Sequence, residues 1–206
     1  MLDRLIIEFD KSLRTLLATP ASQRPYPGAA LPETLTEKQD KRHAAALMRV
    51  NHTGEICAQA LYSAQAISVR SPETAAMLRA TAQQGAEHLA WCEKRIKELG
   101  SHTSLLNPLF YGGSFGLGLL AGALGDRWSL GFAAENERQA GNQLARHLET
   151  LTADDQKSRT IISQLQADSA SLAQLAAAQG ATELPFPLKA GMRILSNIMT
   201  TTTYHL

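Results

Sequence analysis

One carboxylate stands out in the stretch RVNHTGEICAQALYSAQ, which begins at Arg49. At helical spacing, Glu55 shares its face with small or uncharged side chains: Gly54, Ala58, Gln59 and Tyr62. A carboxylate is costly to bury unless a charge partner or a metal ion compensates it. The pattern therefore predicts that Glu55 either anchors a charge partner or binds a metal.

His88 and Glu137 have the spacing of further ligands. Two-metal carboxylate bundles place one Glu on each of two helices and a Glu-x-x-His pair on each of the other two. The spacing of three aims both members of such a pair at the same ion. His88 follows Glu55 by 33 residues, but 35 residues after Glu137 the chain has Leu172. The two halves of the chain therefore match in spacing and differ in chemistry.

The composition restricts the class of protein. The chain has 206 residues, of which 44% are hydrophobic and 5% aromatic, enough for one sizeable core. Abundant alanine and rare strand-type alternation favour helices. The formal net charge of +1 gives no electrostatic reason to expect nucleic acid as a partner. Cys57 and Cys92 read as reduced thiols of an intracellular protein, and the N-terminus lacks the pattern of a signal peptide.

Hydrophobic periodicity and helix breakers divide the first part of the chain. An apolar stripe predicts a helix over residues 2–17, and four prolines predict a linker or surface loop over residues 19–32. Thr36 and Gln39 have the spacing of a capping box, which would open a long helix that ends near Ser68.

Ser71 and the proline after it predict the start of the next long helix, which we expect to end at Leu99 before Gly100. The basic residues 94, 95 and 97 near its end read as a solvated helix face.

Residues 105–125 contain no Asp, Glu, Lys or Arg and are rich in glycine. The pattern favours a buried helix hairpin. A glycine-rich surface that lies in the membrane interface and admits an apolar ligand is the second interpretation. A transmembrane span is the third, and dense glycine with no Lys/Arg asymmetry argues against it.

The last part of the chain predicts helices over residues 126–151 and 154–179 and a short final helix over residues 188–199. Four long helices, a hydrophobic insertion and short terminal helices make an all-α bundle. We expect residues 1–206 to form a single domain.

Three segments carry a family resemblance: RVNHTGEICAQALYSAQ, EHLAWCEKRIKELGSHTSLLNPLFYGGSF and MRILSNIMTTTTYHL. They resemble the demethoxyubiquinone hydroxylases, di-iron monooxygenases of ubiquinone biosynthesis. The resemblance implies a ferritin-like bundle, two irons per chain and a polyprenyl benzoquinol substrate that is hydroxylated with O2. It also implies a peripheral protein on the cytoplasmic face of the cell membrane, with other ubiquinone-biosynthesis proteins as partners and residues 105–125 as the membrane-contacting part.

Carried over residue by residue, the resemblance implies that Glu55, His88 and Glu137 are iron ligands. The other three ligand positions fall on residues that cannot bind iron through a carboxylate or imidazole: Gly85, Ser169 and Leu172. Glu135, two residues before Glu137, makes an alternative register for that ligand.

Two acids lie close in sequence to the missing ligands. Glu87 is about 200° around the helix from Gly85, and Asp168 is about 100° from Ser169, so we expect neither to replace the missing carboxylates. Two functions stay open at this point. The chain is either a hydroxylase with metal at the three retained positions, or an impaired or inactive relative that binds quinol or a biosynthetic partner.

Overall fold

The computed structural model describes Asp10, residues 13–18, Pro20 and residues 22–206. Residues 13–17 are helical, and most of the helix predicted over residues 2–17 lies outside the described residues. Residues 22–37 form a loop with turns, which agrees with the linker predicted over residues 19–32, of which residues 19 and 21 lie outside the described residues.

Residues 38–206 fold into six α-helices, and the described residues contain no strand. In chain order, the helices are α1 (Lys38–Ser68), α2 (Pro72–Glu98), α3 (Asn107–Ala123), α4 (Asp126–Thr150), α5 (Gln156–Ala178) and α6 (Phe186–His205). The all-α prediction is confirmed.

The ends of the helices follow from local chemistry. The Ser71 hydroxyl accepts a hydrogen bond from the Thr74 backbone N–H, and Pro72 occupies the first turn of α2. Gly100 adopts a φ of 71° after α2, a conformation that favours glycine. The prediction of a capping box at Thr36 is wrong, because α1 has Glu37 at its N-cap and no side chain caps its first turn.

The bundle consists of two helix pairs. Helix α1 packs along α2, helix α4 packs along α5, and the short connections make the members of each pair neighbours. Arg95 of α2 ties the pairs together, since its guanidinium donates to Ser158 at 2.8 Å and to Asp155 at 2.9 Å. Arg95 is fully buried, so the prediction of a solvated face fails there.

Helix α3 is a single helix and not a hairpin. Its glycines allow close contact with α1: a Cβ built on Gly118 would lie 2.4 Å from the Leu61 carbonyl oxygen. The opposite side is exposed and apolar, with Leu109 69% and Leu120 67% accessible. Within the described part of the chain, no helix combines the length and hydropathy that a membrane crossing requires.

Helix α6 is longer than predicted, because the threonine-rich end stays helical and packs on α1. The Tyr204 hydroxyl lies 2.7 Å from Nδ1 of His43, which fixes the end of α6 against the start of α1. Pro187 lies in the first turn of α6, where a missing N–H costs nothing.

The contact between α3 and α1 can be tested at Gly118. We expect Gly118→Ala to lower the free energy of unfolding by about 2 kcal/mol, because the new methyl group overlaps the backbone of α1. Gly116→Ala is the matched control, since no atom lies within 4 Å of its Cβ position and alanine favours a helix. Urea denaturation of both variants checks this, and equal stabilities would contradict the close contact.

Candidate functional site

The structure brings the sequence-predicted ligands together at the centre of the bundle. Glu55 of α1, His88 of α2 and Glu137 of α4 line one small cavity of about 10 Å³, roughly the room for one water molecule. Gly85 and Leu172, two of the positions without a ligand, line the same cavity. The alignment of the helices is thus the one that the spacing of the two halves predicts.

His88 lies between two carboxylates. Its Nδ1 is 3.0 Å from Oε1 of Glu55, and its Nε2 is 2.8 Å from Oδ2 of Asp168. Burial lowers the pKa of His88, but the charges and hydrogen bonds of Glu55 and Asp168 outweigh burial and raise it to about 10. At neutral pH the ring is therefore an imidazolium that donates to both acids.

Asp168 is held from its other side by Arg24. The guanidinium donates to Asp168 at 2.6 Å and 3.4 Å, and the Gln164 amide donates at 3.0 Å. Burial opposes ionisation of this carboxyl, but the bonds from His88, Arg24 and Gln164 keep its pKa well below the usual range. The carboxylate does not point into the cavity at the Ser169 position, as expected, and instead supports the ring of His88.

Glu137 occupies the second half of the site. It accepts a hydrogen bond of 2.5 Å from the Tyr62 hydroxyl, which itself accepts one of 2.8 Å from Asn136. Burial and the charge of Glu55 raise the pKa of Glu137 to about 7, although hydrogen bonds from Tyr62 and Ser169 oppose that rise. The Ser169 hydroxyl thus binds a carboxylate where the family resemblance implies a further Glu.

Two other acids face away from the cavity. Glu135 binds Arg138 and Gln139 on its own helix, so Glu137 is the residue whose register fits the site. Glu87 points away from the Gly85 position, as its angle of about 200° predicts, and it accepts from the backbone N–H groups of Gln23 and Arg24.

Because residue 85 is glycine, it provides no side-chain hydrogen-bond acceptor for the neighbouring Gln59 amide. A Cβ at this position would lie 3.2 Å from Cγ of Gln59 and 3.3 Å from Oε2 of Glu55. Nε2 of Gln59 is buried and finds no acceptor among the described residues. A longer acidic side chain at residue 85 would need a shift of a few tenths of an ångström and would supply that acceptor.

The residues present do not fit a two-iron centre. Gly85 and Leu172 offer no donor atom, and both nitrogens of His88 are engaged by carboxylates, so too few free donors remain for two ions. Over the described part of the chain, no three His, Cys, Asp or Glu side chains are arranged to hold a metal ion. Metal binding by Glu55, His88 and Glu137 therefore stays a prediction.

A larger groove of about 460 Å³ adjoins the cavity between α2 and α5. Thr81 and Leu172 line both spaces, and Met77 and Leu175 make the groove largely apolar. Leu172 thus forms part of the wall between the buried acids and an open apolar groove.

The fold and the site define a four-helix bundle of the carboxylate-histidine class, with acids and a histidine directed inward from facing helices. Residues 42–203 match the family described as Ubiquinone biosynthesis protein COQ7. The chain belongs to this family, and its bundle is ferritin-like.

Curated relatives resemble the chain along its whole length. The 3-demethoxyubiquinol 3-hydroxylase of Aromatoleum aromaticum is 55% identical over 206 residues, all of both chains. That of Nitrosomonas eutropha is 54% identical over 98% of this chain and 97% of its own. That of Laribacter hongkongensis is 51% identical over all of both chains.

Sequence reasoning missed Asp168 and Arg24 as parts of the site. The sequence suggests Asp168 only as a substitute ligand, whereas the structure places it against Nε2 of His88, the ring nitrogen that does not bind Glu55. Arg24 lies in the proline-rich loop, 144 residues from its partner. A local pattern contains no signal for a contact of that separation.

The charge on His88 predicts a pH dependence of stability. Its folded pKa of about 10 exceeds the ordinary value of 6.5, so its contribution is complete below pH 6.5 and is lost as the pH rises toward 10. We expect the free energy of unfolding to fall between pH 7 and 10 by on the order of 2 kcal/mol more in the parent than in His88→Gln.

His52→Gln is the matched control for this titration. His52 is also buried, but burial lowers its pKa to about 4, so it is neutral across the same interval. Denaturation curves at a series of pH values check both variants. The same pH slope in His88→Gln and in the parent would show that the ring is neutral in the folded protein.

Proposed function

We propose that this chain acts at the ring-hydroxylation step of ubiquinone biosynthesis, on a polyprenylated demethoxy-type benzoquinol. Identity of 55% over the full length of a protein named 3-demethoxyubiquinol 3-hydroxylase is the observation that carries the proposal. Iron would supply the activation of O2 for this reaction. Glu55, His88 and Glu137 are the residues of this chain that would face it.

Because three ligand positions carry no metal-binding side chain, we expect this chain to turn over more slowly than its relatives. Loss of an outer partner of a metal ligand typically costs about 10–100-fold in metal affinity or activity, and three direct ligands are missing here. We therefore expect hydroxylation at least about 100-fold slower than that of the Aromatoleum aromaticum relative assayed in parallel.

A second candidate function is quinol binding without hydroxylation. The specific observation in its favour is that protein groups satisfy the retained charges: His88 is paired with Glu55 and Asp168, and Glu137 with Tyr62 and Ser169. A site that is electrostatically complete without metal can persist in a protein that only binds its ligand.

We also propose that the chain binds peripherally to the cytoplasmic face of the cell membrane. Helices α3 and α6 both pack on α1 and leave large apolar side chains in solvent. Exposed examples on these helices or directly next to them are Leu105, Leu109, Leu120, Leu124, Phe186, Ile194 and Ile198. Burying such side chains at the lipid interface is favourable and would keep the polyprenyl tail of the substrate in lipid.

Iron content tests the hydroxylase proposal. We expect the parent, reconstituted with Fe(II) without oxygen, to hold fewer than two irons per chain. The combined variant Gly85→Glu, Ser169→Glu and Leu172→His should gain iron and hydroxylate a demethoxy-type quinol faster, because it restores the missing donors.

Two further variants control the restoration. Adding Glu137→Gln to the combined variant should remove the gained iron, whereas adding Glu135→Gln should not, since Glu135 binds Arg138 outside the cavity. Two irons in the parent would show that the ligand assignment is wrong. Binding of the quinol with no turnover by the parent or the combined variant would favour the second candidate function.

Flotation with liposomes that contain anionic lipid tests the membrane proposal. Leu109→Glu with Leu120→Glu should reduce the bound fraction about tenfold or more, because two exposed leucines then no longer enter the lipid interface. Leu175→Glu is the control, since Leu175 is also exposed but lies on α5. Equal loss in both cases, or no binding by the parent, would contradict this surface.

A further inference from the structure

The loop of residues 22–24 is tied to α2 by several hydrogen bonds. The carboxylate of Glu87 accepts from the Ser22 hydroxyl and from the backbone N–H groups of Gln23 at 2.9 Å and Arg24 at 3.2 Å. Nε1 of Trp91 donates to the Ser22 hydroxyl at 3.1 Å. This part of the proline-rich loop therefore has one defined position on the bundle.

That position brings Arg24 to the buried site. Its guanidinium lies 4.7 Å from the centre of the Trp91 ring and donates to Asp168, whose same oxygen accepts from Nε2 of His88. Side-chain exposure falls from 36% at Arg24 to 13% at Asp168 and 3% at His88. The three residues form a continuous path of charged contacts from the surface to the cavity.

We propose that residues 22–24 are a strap that positions the site, with Glu87 holding the strap and Arg24 and Asp168 orienting the ring of His88. Once Asp168 binds Nε2, the Nδ1 atom of His88 is directed at Glu55 and the cavity. Arg24, Asp168 and Glu87 are positioning residues, because none of them lines the cavity.

The strap comes from a part of the chain outside the range of the family model. Residues 22–24 precede the matched range of 42–203, and they reach the site only through the fold. The loop has few constraints of its own, since residues 22–37 contain no regular structure. Within this loop, residues 22–24 are held by the bonds to Glu87, Trp91 and Asp168, whereas Tyr26 and Glu33 hold the following part on Glu98 and Arg95.

The first test measures amide hydrogen exchange of Gln23 and Arg24 in the full chain. Glu87→Gln replaces the carboxylate that accepts both N–H groups by a neutral amide, which is a weaker acceptor. We therefore expect hydrogen exchange at these amides to become about tenfold or more faster. Glu93→Gln is the matched control, because Glu93 lies on the same helix and pairs with exposed Lys97. Unchanged exchange in Glu87→Gln would overturn the role of Glu87.

The second test measures the solvent exchange of the Nε2–H proton of His88 by NMR, which we expect to be slow because Asp168 accepts this proton. We expect its exchange to accelerate about tenfold or more in Arg24→Gln, with the thermal midpoint nearly unchanged because Arg24 is partly exposed, and Arg24→Lys to recover part of the protection. Asp168→Asn should have the larger effect, since it acts on the ring directly.

Protection of the His88 proton that is unchanged in Arg24→Gln would show that Asp168 is held without the strap, and this would overturn the role of Arg24. Both measurements use the chain without metal or quinol. Their outcome is therefore independent of the hydroxylation proposed above, and each proposal can fail without the other.

Discussion

The placement of one imidazole between two carboxylates is the interaction on which the interior of this bundle depends. Glu55 and Asp168 come from α1 and α5, and His88 of α2 joins them at 3.0 Å and 2.8 Å. Partly buried acids are stabilised by a nearby cation, and an imidazolium that touches both can supply it without a metal. The same contacts join α1, α2 and α5, so the pairing of charges around His88 also fixes how these three helices pack.

The residues at Gly85, Ser169 and Leu172 are consistent with that charge balance. Additional glutamates at residues 85 and 169 would add negative charge beside Glu55 and Glu137, which is costly without metal. Glu137 already has its pKa raised to about 7 by burial and by Glu55, so the cavity cannot easily accommodate another acid. Leu172 places a methyl-rich side chain where a donor would otherwise need a partner.

Much of the fold could be predicted because its signals are local. Ser71 and the proline after it open α2, Gly100 follows its end, and the spacing of Glu55, His88 and Glu137 places three side chains around one cavity. The glycines of residues 105–125 predict a hairpin, but the structure has one helix, α3, because glycine serves close packing there: Gly118 lies against the backbone of α1.

The parts that could not be predicted depend on contacts between distant residues. Arg95 reads as a surface cation next to basic neighbours, yet it is buried by acids 60 and 62 residues away, Asp155 and Glu33. The contact of Arg24 with Asp168 cannot be predicted from the sequence either, since only the path of the loop over α2 brings the two residues together. Helical periodicity reports which face a side chain occupies, but not which loop later covers that face.

Overall identity and local chemistry therefore answer different questions about this chain. Identity of 55% over the full length indicates that the helices pack as they do in the relative. That packing directs Glu55, His88 and Glu137 to one cavity. Whether a ring is hydroxylated there depends on a few donor atoms that add little to the score of any alignment. Since protein groups already complete the charge of the site, a metal would have to displace the imidazolium contact to Glu55 before it could bind.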